Sequence, residues 1–229
     1  MTLRFLTFDC YGTLIDWKKG IETNFRECFL RDDLFNEQKG IFEKYVSLEA
    51  REEGVSNAYR SYKQVLEETS TKLARNLGLS FPEGSARRFA ESITNWPAFP
   101  DTAATLRSLG RFGLNRTILS NIDRALLAGT ISNNGLEVDD FITAQDVKSY
   151  KPSKEHWLEF FRRTGAKKQD TMHVANSVYH DIVPANELGI RTIWVNRYGE
   201  NVPAITKPNF TITNLSDLIG ILETHRLLE

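Results

Sequence analysis

The sequence is poor in several things that specialised proteins depend on. Among 229 residues there are only two cysteines, Cys10 and Cys28. Two thiols at that separation give neither a disulfide framework nor a thiolate zinc site, and unpaired thiols suit a reducing, cytoplasmic compartment. No apolar run approaches the roughly 18 residues needed to span a bilayer. Arg4 interrupts the hydrophobic stretch at the start, so neither a signal peptide nor an anchor is expected. Neither charge is in excess: 29 basic residues face 30 acidic ones, scattered along the chain for a formal net charge of -1. That leaves no electrostatic footprint for nucleic acid or for an anionic membrane, and neither is an expected partner. Internal repeats and low-complexity segments are also missing.

What is present is an ordinary apolar share, 41%, in a chain long enough for one large domain or for a core carrying an insertion. Residues 3–8 (Leu-Arg-Phe-Leu-Thr-Phe) read as a buried strand opening onto a loop at Asp9. From Ile21 to Arg75, apolar residues such as Phe25, Phe29, Tyr45, Leu48, Val65, Leu66 and Leu73 recur at three- and four-residue spacings, the period of helices. Ser80 as a capping residue and Pro82 announce a further helix over 84–94, and Trp96-Pro97-Ala98-Phe99-Pro100 then breaks the pattern. Beyond it the chain alternates: helix 101–111, strand 115–119, helix 123–133, strand 141–143, helix 153–165, strand 171–175, helix 181–188, and strands 191–195 and 209–212. Such alternation predicts an α/β fold, a parallel sheet covered by helices. Its first strand precedes the helical stretch, so the sheet domain is expected to be discontinuous, 1–16 with 98–229, around an inserted helical domain over 17–97.

In open parallel sheets the ligand site lies beyond the carboxyl ends of the strands. Four such places carry chemistry: Asp9 after the first strand, Ser120-Asn121 after the second, Lys151-Pro152, and Asn176-Ser177 with Asp181 after the fourth. A carboxylate, a hydroxyl and an ammonium converging from separate strands suit covalent catalysis by aspartate.

These segments, Phe8-Asp-Cys-Tyr-Gly-Thr-Leu-Ile-Asp16, Ile118-Leu-Ser-Asn121, Tyr150-Lys-Pro152 and Ala175-Asn-Ser-Val-Tyr-His-Asp-Ile182 followed by Ala185 and Gly189, resemble the haloacid dehalogenase superfamily. The resemblance covers nearly the whole chain and is closest to the L-2-haloacid dehalogenases. It implies a Rossmann-like core with a helical cap inserted after the first strand. Phosphatases of this pattern carry one Asp two residues after the nucleophile and another before the serine of the last motif. Tyr11 and Asn176 stand there instead. Losing two carboxylates removes the charge that a hard magnesium ion prefers, so no metal and no cofactor is expected.

By the same resemblance, Asp9 attacks Cα of a small 2-substituted carboxylate, and water hydrolyses the resulting ester. Lys151 keeps Asp9 ionised and lowers its pKa, Asp181 holds Lys151 and helps activate water, and Ser177 with Asn176 holds a water. Ser120 and Thr13 bind the substrate carboxylate or steady Asp9, Asn121 lines the leaving-group cradle, and Tyr11, Trp17 and Trp157 are candidate substrate contacts. Three alternatives stay open: opening of the strained C–N bond of L-azetidine-2-carboxylate, phosphatase activity, and a catalytically idle member whose cap binds a protein. A homodimer also stays open. Other residues have plainer readings. His173 in a buried strand and His180 in a helix's first turn read as satisfied structural histidines, Asp181 doubles as a helix N-cap, and Cys10 reads as a small packed residue.

Overall fold

The computed structural model describes residues 3–30, 40–53, 59–201 and 206–228. Residues 31–39 and 54–58, within the helical stretch expected over 21–75, lie outside the described set. The elements run β1 (Phe5–Phe8), α1 (Trp17–Phe29), α2 (Ile41–Glu53), α3 (Tyr62–Asn76), α4 (Ser85–Ser92), α5 (Thr102–Arg111), β2 (Asn115–Ser120), α6 (Arg124–Asn133), β3 (Asp140–Thr143), α7 (Ala144–Val147) and α8 (Glu155–Thr164). They continue with β4 (Thr171–Ala175), a π-helical turn (Val178–Ile182), α9 (Val183–Glu187), β5 (Arg191–Val195), β6 (Phe210–Ile212) and α10 (Asp217–Thr224).

The six strands form one parallel sheet in the order β3-β2-β1-β4-β5-β6. A parallel sheet is covered on both faces, which is why β4 (Thr-Met-His-Val-Ala) is buried at every position. β1 pairs with β2 on one side and β4 on the other, with Phe8 level with Ile118 and Val174. The chain builds outward from β1 first one way and then the other. The carboxyl end of β1 is therefore the switch point at which such sheets place ligands.

Contacts divide the chain into two compact units: Met1–Asp16, Ala98–Asn121 and Asn134–Glu229 form one, Trp17–Pro97 with Ile122–Asn133 the other. The sheet and its helices make the first. Among its described residues the second has helices and no strand, and it includes α6, which the alternation had assigned to the sheet domain. The reason is visible in α6 itself. Thr130 Oγ1 donates to Ile93 O, Asn133 Nδ2 donates to Thr94 O and Asn95 Oδ1, and a Cβ at Gly129 would meet the Thr94 side chain at 2.9 Å.

The helical unit is centred on aromatic rings: Phe25 stacks on Phe29 at 4.7 Å, and Phe89 meets Phe25, Phe29, Tyr45 and Trp96. α3 begins with a capping box between Ser61 and Gln64 and, in addition, lays its first two N–H groups, Tyr62 and Lys63, on the Asp123 carboxylate. Ser80 does not cap α4; that helix starts at Ser85, with Gly84 at φ 77° in the N-cap position. Among the described residues no helix is long and apolar enough to cross a membrane.

Candidate active site

The β1 ladder carries one residue past the strand: the Asp9 N–H donates to Val174 O at 3.1 Å, so backbone pairing fixes the root of this side chain. The next residues turn sharply. Cys10 O accepts from the N–H groups of Leu14 and Ile15 at 2.7 and 3.0 Å, and Gly12 sits at φ 91°, a conformation that favours glycine. The turn folds Thr13 back over Asp9. Its Oγ1 donates to Asp9 Oδ2 at 2.7 Å and accepts from the Asn176 N–H at 2.9 Å.

Lys151 comes from the loop after α7. Its ammonium makes three hydrogen bonds, to Asp9 Oδ1 at 2.9 Å, Asp181 Oδ1 at 2.6 Å and Leu119 O at 2.9 Å. The side chain is 2% exposed. Its backbone is clamped as well: Asn121 Oδ1 accepts from the Lys151 N–H at 2.7 Å, and Asn121 Nδ2 donates to Lys151 O at 3.1 Å. Asn121 thus has both polar atoms on Lys151. It holds the backbone of the cation-bearing residue in place, a support beyond its expected position in a leaving-group cradle.

Asp181 lies inside the π turn and is not the cap of a helix. The turn is capped by Ser177, whose Oγ accepts from the His180 N–H at 3.1 Å and lies 3.1 Å from His180 Nδ1. A π turn admits an extra residue per turn and re-aims the side chains in it, a device that recurs at functional sites. Here it brings Asp181 back to β4, where Oδ1 receives His173 Nε2 at 3.0 Å alongside Lys151, while Oδ2 is buried with no protein partner.

Two carboxylates and one ammonium, all three buried, give the cluster its electrostatics. Burial alone would lower the pKa of Lys151, but Asp181 and Asp9 outweigh it and hold the ammonium above its usual value. Burial works against the Asp181 charge too, yet Lys151 and His173 bring that carboxyl well below the usual range. Asp9 goes the other way. Desolvation, with Asp181 adding to it, exceeds the pull of Lys151 and Thr13, so its pKa is raised from 3.8. The expected lowering by Lys151 exists but is outweighed. Environments that push two neighbouring carboxyls apart separate their chemical roles. Cys10, buried beside Asp9, has its thiol pushed well up by burial and stays an unreactive packed group.

The remaining candidates fall at different distances from this cluster. Ser120 closes β2, 2% exposed, with its carbonyl accepting from His156 Nε2 at 3.2 Å. Asn176 donates its side-chain amide to Val195 O and accepts from the Trp194 indole through its carbonyl. Tyr11 is half-buried in the loop, bridged to Ile15. Trp17 opens α1 in the helical unit, edge-on to Phe42 at 5.2 Å. Trp157 is fully enclosed in a core cluster with Leu119, Ile142, Phe160, Ala185 and Ile190. An indole with no exposed surface cannot form a pocket wall, so its expected place among substrate contacts is corrected: it packs edge-on against His173 at 5.1 Å.

Other supports are absent from the sequence reading. Arg197, after β5, donates through Nε to Thr13 O at 2.9 Å, forks onto both oxygens of Asp101 and lies 3.8 Å over the Phe99 ring. It pins the backbone of the residue that orients Asp9. His156 is kept neutral, its pKa pushed down to about 3 by burial and by Lys151. His173 was legible as a structural histidine; that it lies level with Thr7 on β1 is a matter of strand register, set by the tertiary fold.

The donor set does not fit a magnesium ion. Asp9 has one oxygen on an ammonium and one on a hydroxyl, Asn176 turns its amide to Val195 O, and a phenol stands at position 11. Among the described residues no group of three or more His, Cys, Asp or Glu side chains is gathered as a metal would require.

The chain is 23% identical over 221 residues to the haloacetate dehalogenase H-2 of Moraxella sp. (strain B), covering 95% of this chain and 96% of that protein. It is 26% identical to the (S)-2-haloacid dehalogenase 4A of Burkholderia cepacia, over 86% and 85% of the two chains. Its fold is shared with the L-2-haloacid dehalogenase of Xanthobacter autotrophicus, solved with chloropropionic acid covalently bound, at a TM-score of 0.80 and 19% identity over 97% and 99% of the chains. The model of the haloacid dehalogenase-like hydrolases matches residues 3–189, and with its parallel sheet and aspartate-ended first strand the chain belongs to that family of hydrolases.

Proposed function

We propose that this hydrolase displaces a leaving group from Cα of a small 2-substituted carboxylate, without a metal, through an ester on Asp9. The observation that carries this reading is the buried Lys151 ammonium bridging Asp9 Oδ1 and Asp181 Oδ1 at 2.9 and 2.6 Å, with Tyr11 and Asn176 where metal-binding carboxylates would be required. Asp9 forms a bond to Cα as the bond to the leaving group breaks, and the leaving group departs with the electron pair. Lys151 and Thr13 orient the attacking carboxylate and disperse its charge. Water then attacks the ester carbonyl, Asp181 is the acceptor for its proton, and a 2-hydroxy acid and the Asp9 carboxylate are released. Halide is the leaving group this arrangement suits best, since a weak base departs without a proton.

A second reading keeps the same chemistry with a strained amine, L-azetidine-2-carboxylate, as substrate. It needs a proton for the departing amine, which Tyr11 or a water held by Asn176 and half-buried Ser177 would supply.

Single turnover in ¹⁸O-labelled water tests the ester: label is expected in Asp9 before it reaches product, and direct labelling of product in the first turnover overturns the reading. Assays with L-2-chloropropionate and L-azetidine-2-carboxylate side by side separate halide from amine release. Magnesium-dependent turnover of a phosphate ester would replace both with a phosphatase.

A further inference from the structure

A lone polar ring in a fully buried strand must find partners, and His173 finds one on each nitrogen: Nε2 lies 3.0 Å from Asp181 Oδ1 and Nδ1 lies 2.8 Å from Thr7 Oγ1. An ionised carboxylate only accepts, so Nε2 donates to Asp181 while Nδ1 pairs with the Thr7 hydroxyl, which also reaches Met172 O at 3.4 Å. Thr7 stands level with His173 on the neighbouring strand, so the sheet itself supplies the pair. Trp157 closes against the ring edge-on at 5.1 Å and holds its plane.

The consequence falls on Asp181. Both of its donors, Lys151 Nζ and His173 Nε2, sit on Oδ1, and Oδ2 is buried with no protein partner. Two donors on one oxygen fix the rotation of the carboxylate and present the other oxygen as a ready acceptor in a site where an unpaired polar atom is costly.

We propose that His173 is a positioning residue for the hydrolytic half of the reaction: held from behind by Thr7, it locks Asp181 so that Oδ2 receives the water that attacks the Asp9 ester. This rests on the ester mechanism proposed above. In the step, the water oxygen bonds to Cγ of Asp9 and one of its protons passes to Asp181 Oδ2. The bond from Cγ to the product oxygen then breaks with its electron pair on that oxygen, which takes the proton from Asp181. Asp9, re-formed as an acid, ionises and releases the second proton to solvent. His173 makes no hydrogen bond to Asp9, whose oxygens are held by Lys151 and Thr13. Ester formation and ester hydrolysis therefore respond differently to its loss.

The experiment compares wild type with His173→Leu, His173→Gln and Thr7→Val on L-2-chloropropionate and L-azetidine-2-carboxylate. Rapid quenching and mass measurement of the Asp9 peptide follow the ester, with thermal unfolding recorded in parallel. His173→Leu is expected to slow ester hydrolysis about tenfold to hundredfold, the range a lost hydrogen bond to a charged group supplies. The ester then accumulates, kcat and KM fall together, and single-turnover ester formation changes far less. His173→Gln, which keeps a side-chain N–H, recovers part of the loss, and Thr7→Val shows a smaller slowing of the same kind. Ester hydrolysis at the wild-type rate in His173→Leu, or both half-reactions slowed equally with a lost melting temperature, overturns the proposal. If His173→Leu fails to fold, an unchanged ester lifetime in Thr7→Val does so. A wild-type enzyme that forms no ester overturns the mechanism and this proposal together, whereas an ester of unchanged lifetime in the variants overturns this proposal alone.

Discussion

In the sheet unit, Asp9 and Asp181 are buried beside the Lys151 ammonium; in the helical unit, Glu49 is buried to the same degree beside the Tyr62 phenol, whose hydroxyl donates to it at 2.7 Å. Desolvation acts on all three carboxyls in the same direction. For Glu49 it wins outright, and the pKa is pushed from 4.5 up to about 7 despite the hydrogen bond from Tyr62. For Asp181, an ammonium and an imidazole reverse it. Asp9 lies between, raised because its share of the cation is smaller than its desolvation. Burial therefore does not decide the charge of an acid in this protein; what decides it is whether the fold also buries a cation against it.

The comparison breaks most visibly if the cation is removed. Lys151→Met leaves two carboxylates buried together, and breaking a buried pair in this way costs about 3–5 kcal/mol. Urea unfolding at pH 7 is expected to show that loss, with part of it recovered in acid as the carboxyls protonate, and turnover should fall to background. A variant as stable as wild type would mean that the cluster tolerates its own repulsion.

Glu49→Gln tests the other unit. The folded state holds the Glu49 proton up to about pH 7, while the unfolded chain releases it near 4.5. Stability is thus full below the unfolded value and declines as pH rises through this window, by about 3 kcal/mol in total. The variant should remove that slope, gaining on wild type between pH 5 and pH 8 in parallel urea titrations. Curves that stay parallel would place Glu49 in water.

Asp9 sharpens the contrast within the sheet unit. Attack needs its ionised form, so kcat/KM should fall on the acid side with a midpoint above the ordinary 3.8, while the lowered Asp181 adds no limb in that region. A limb below 3.8 would mean that Lys151 outweighs burial after all. The smallest effect belongs to Trp157→Phe. An enclosed indole touches no substrate, so KM should stay within about twofold of wild type even where packing costs some stability. A large rise in KM would return the residue to the pocket.

The fold was legible where one strand meets one motif. Asp9, Lys151 and Asp181 each follow a strand or its loop, and the structure brings both carboxylates within hydrogen-bonding distance of the Lys151 ammonium. What the sequence hid was of three kinds. Arg197 and Asp101 are 96 residues apart, and nothing local announces that they share a fork. Trp157 and Asn121 were correctly placed in the chain, but burial and amide orientation are decided by tertiary packing. The π turn defeated helical periodicity: a helix starting at 181 is what the pattern of 3.6 suggests, and only the extra residue at 178–182 makes Asp181 an interior side chain rather than a cap. α6 looked like one more helix of the sheet because alternation records order along the chain and not which face a helix buries.

That misplaced helix has a consequence for modularity. The chain leaves the sheet unit after Asp16, returns at Ala98, leaves again after Asn121 and returns at Asn134. The helical unit is consequently stitched in at two places. Excising residues 17–97 would strip α6 of Ile93, Thr94 and Asn95 while leaving it attached beside Asn121, the residue that clamps Lys151. Grafting a different helical unit onto this sheet, by recombination or by design, must carry both stitches at once, and the second of them begins at the residue after the clamp on the buried cation.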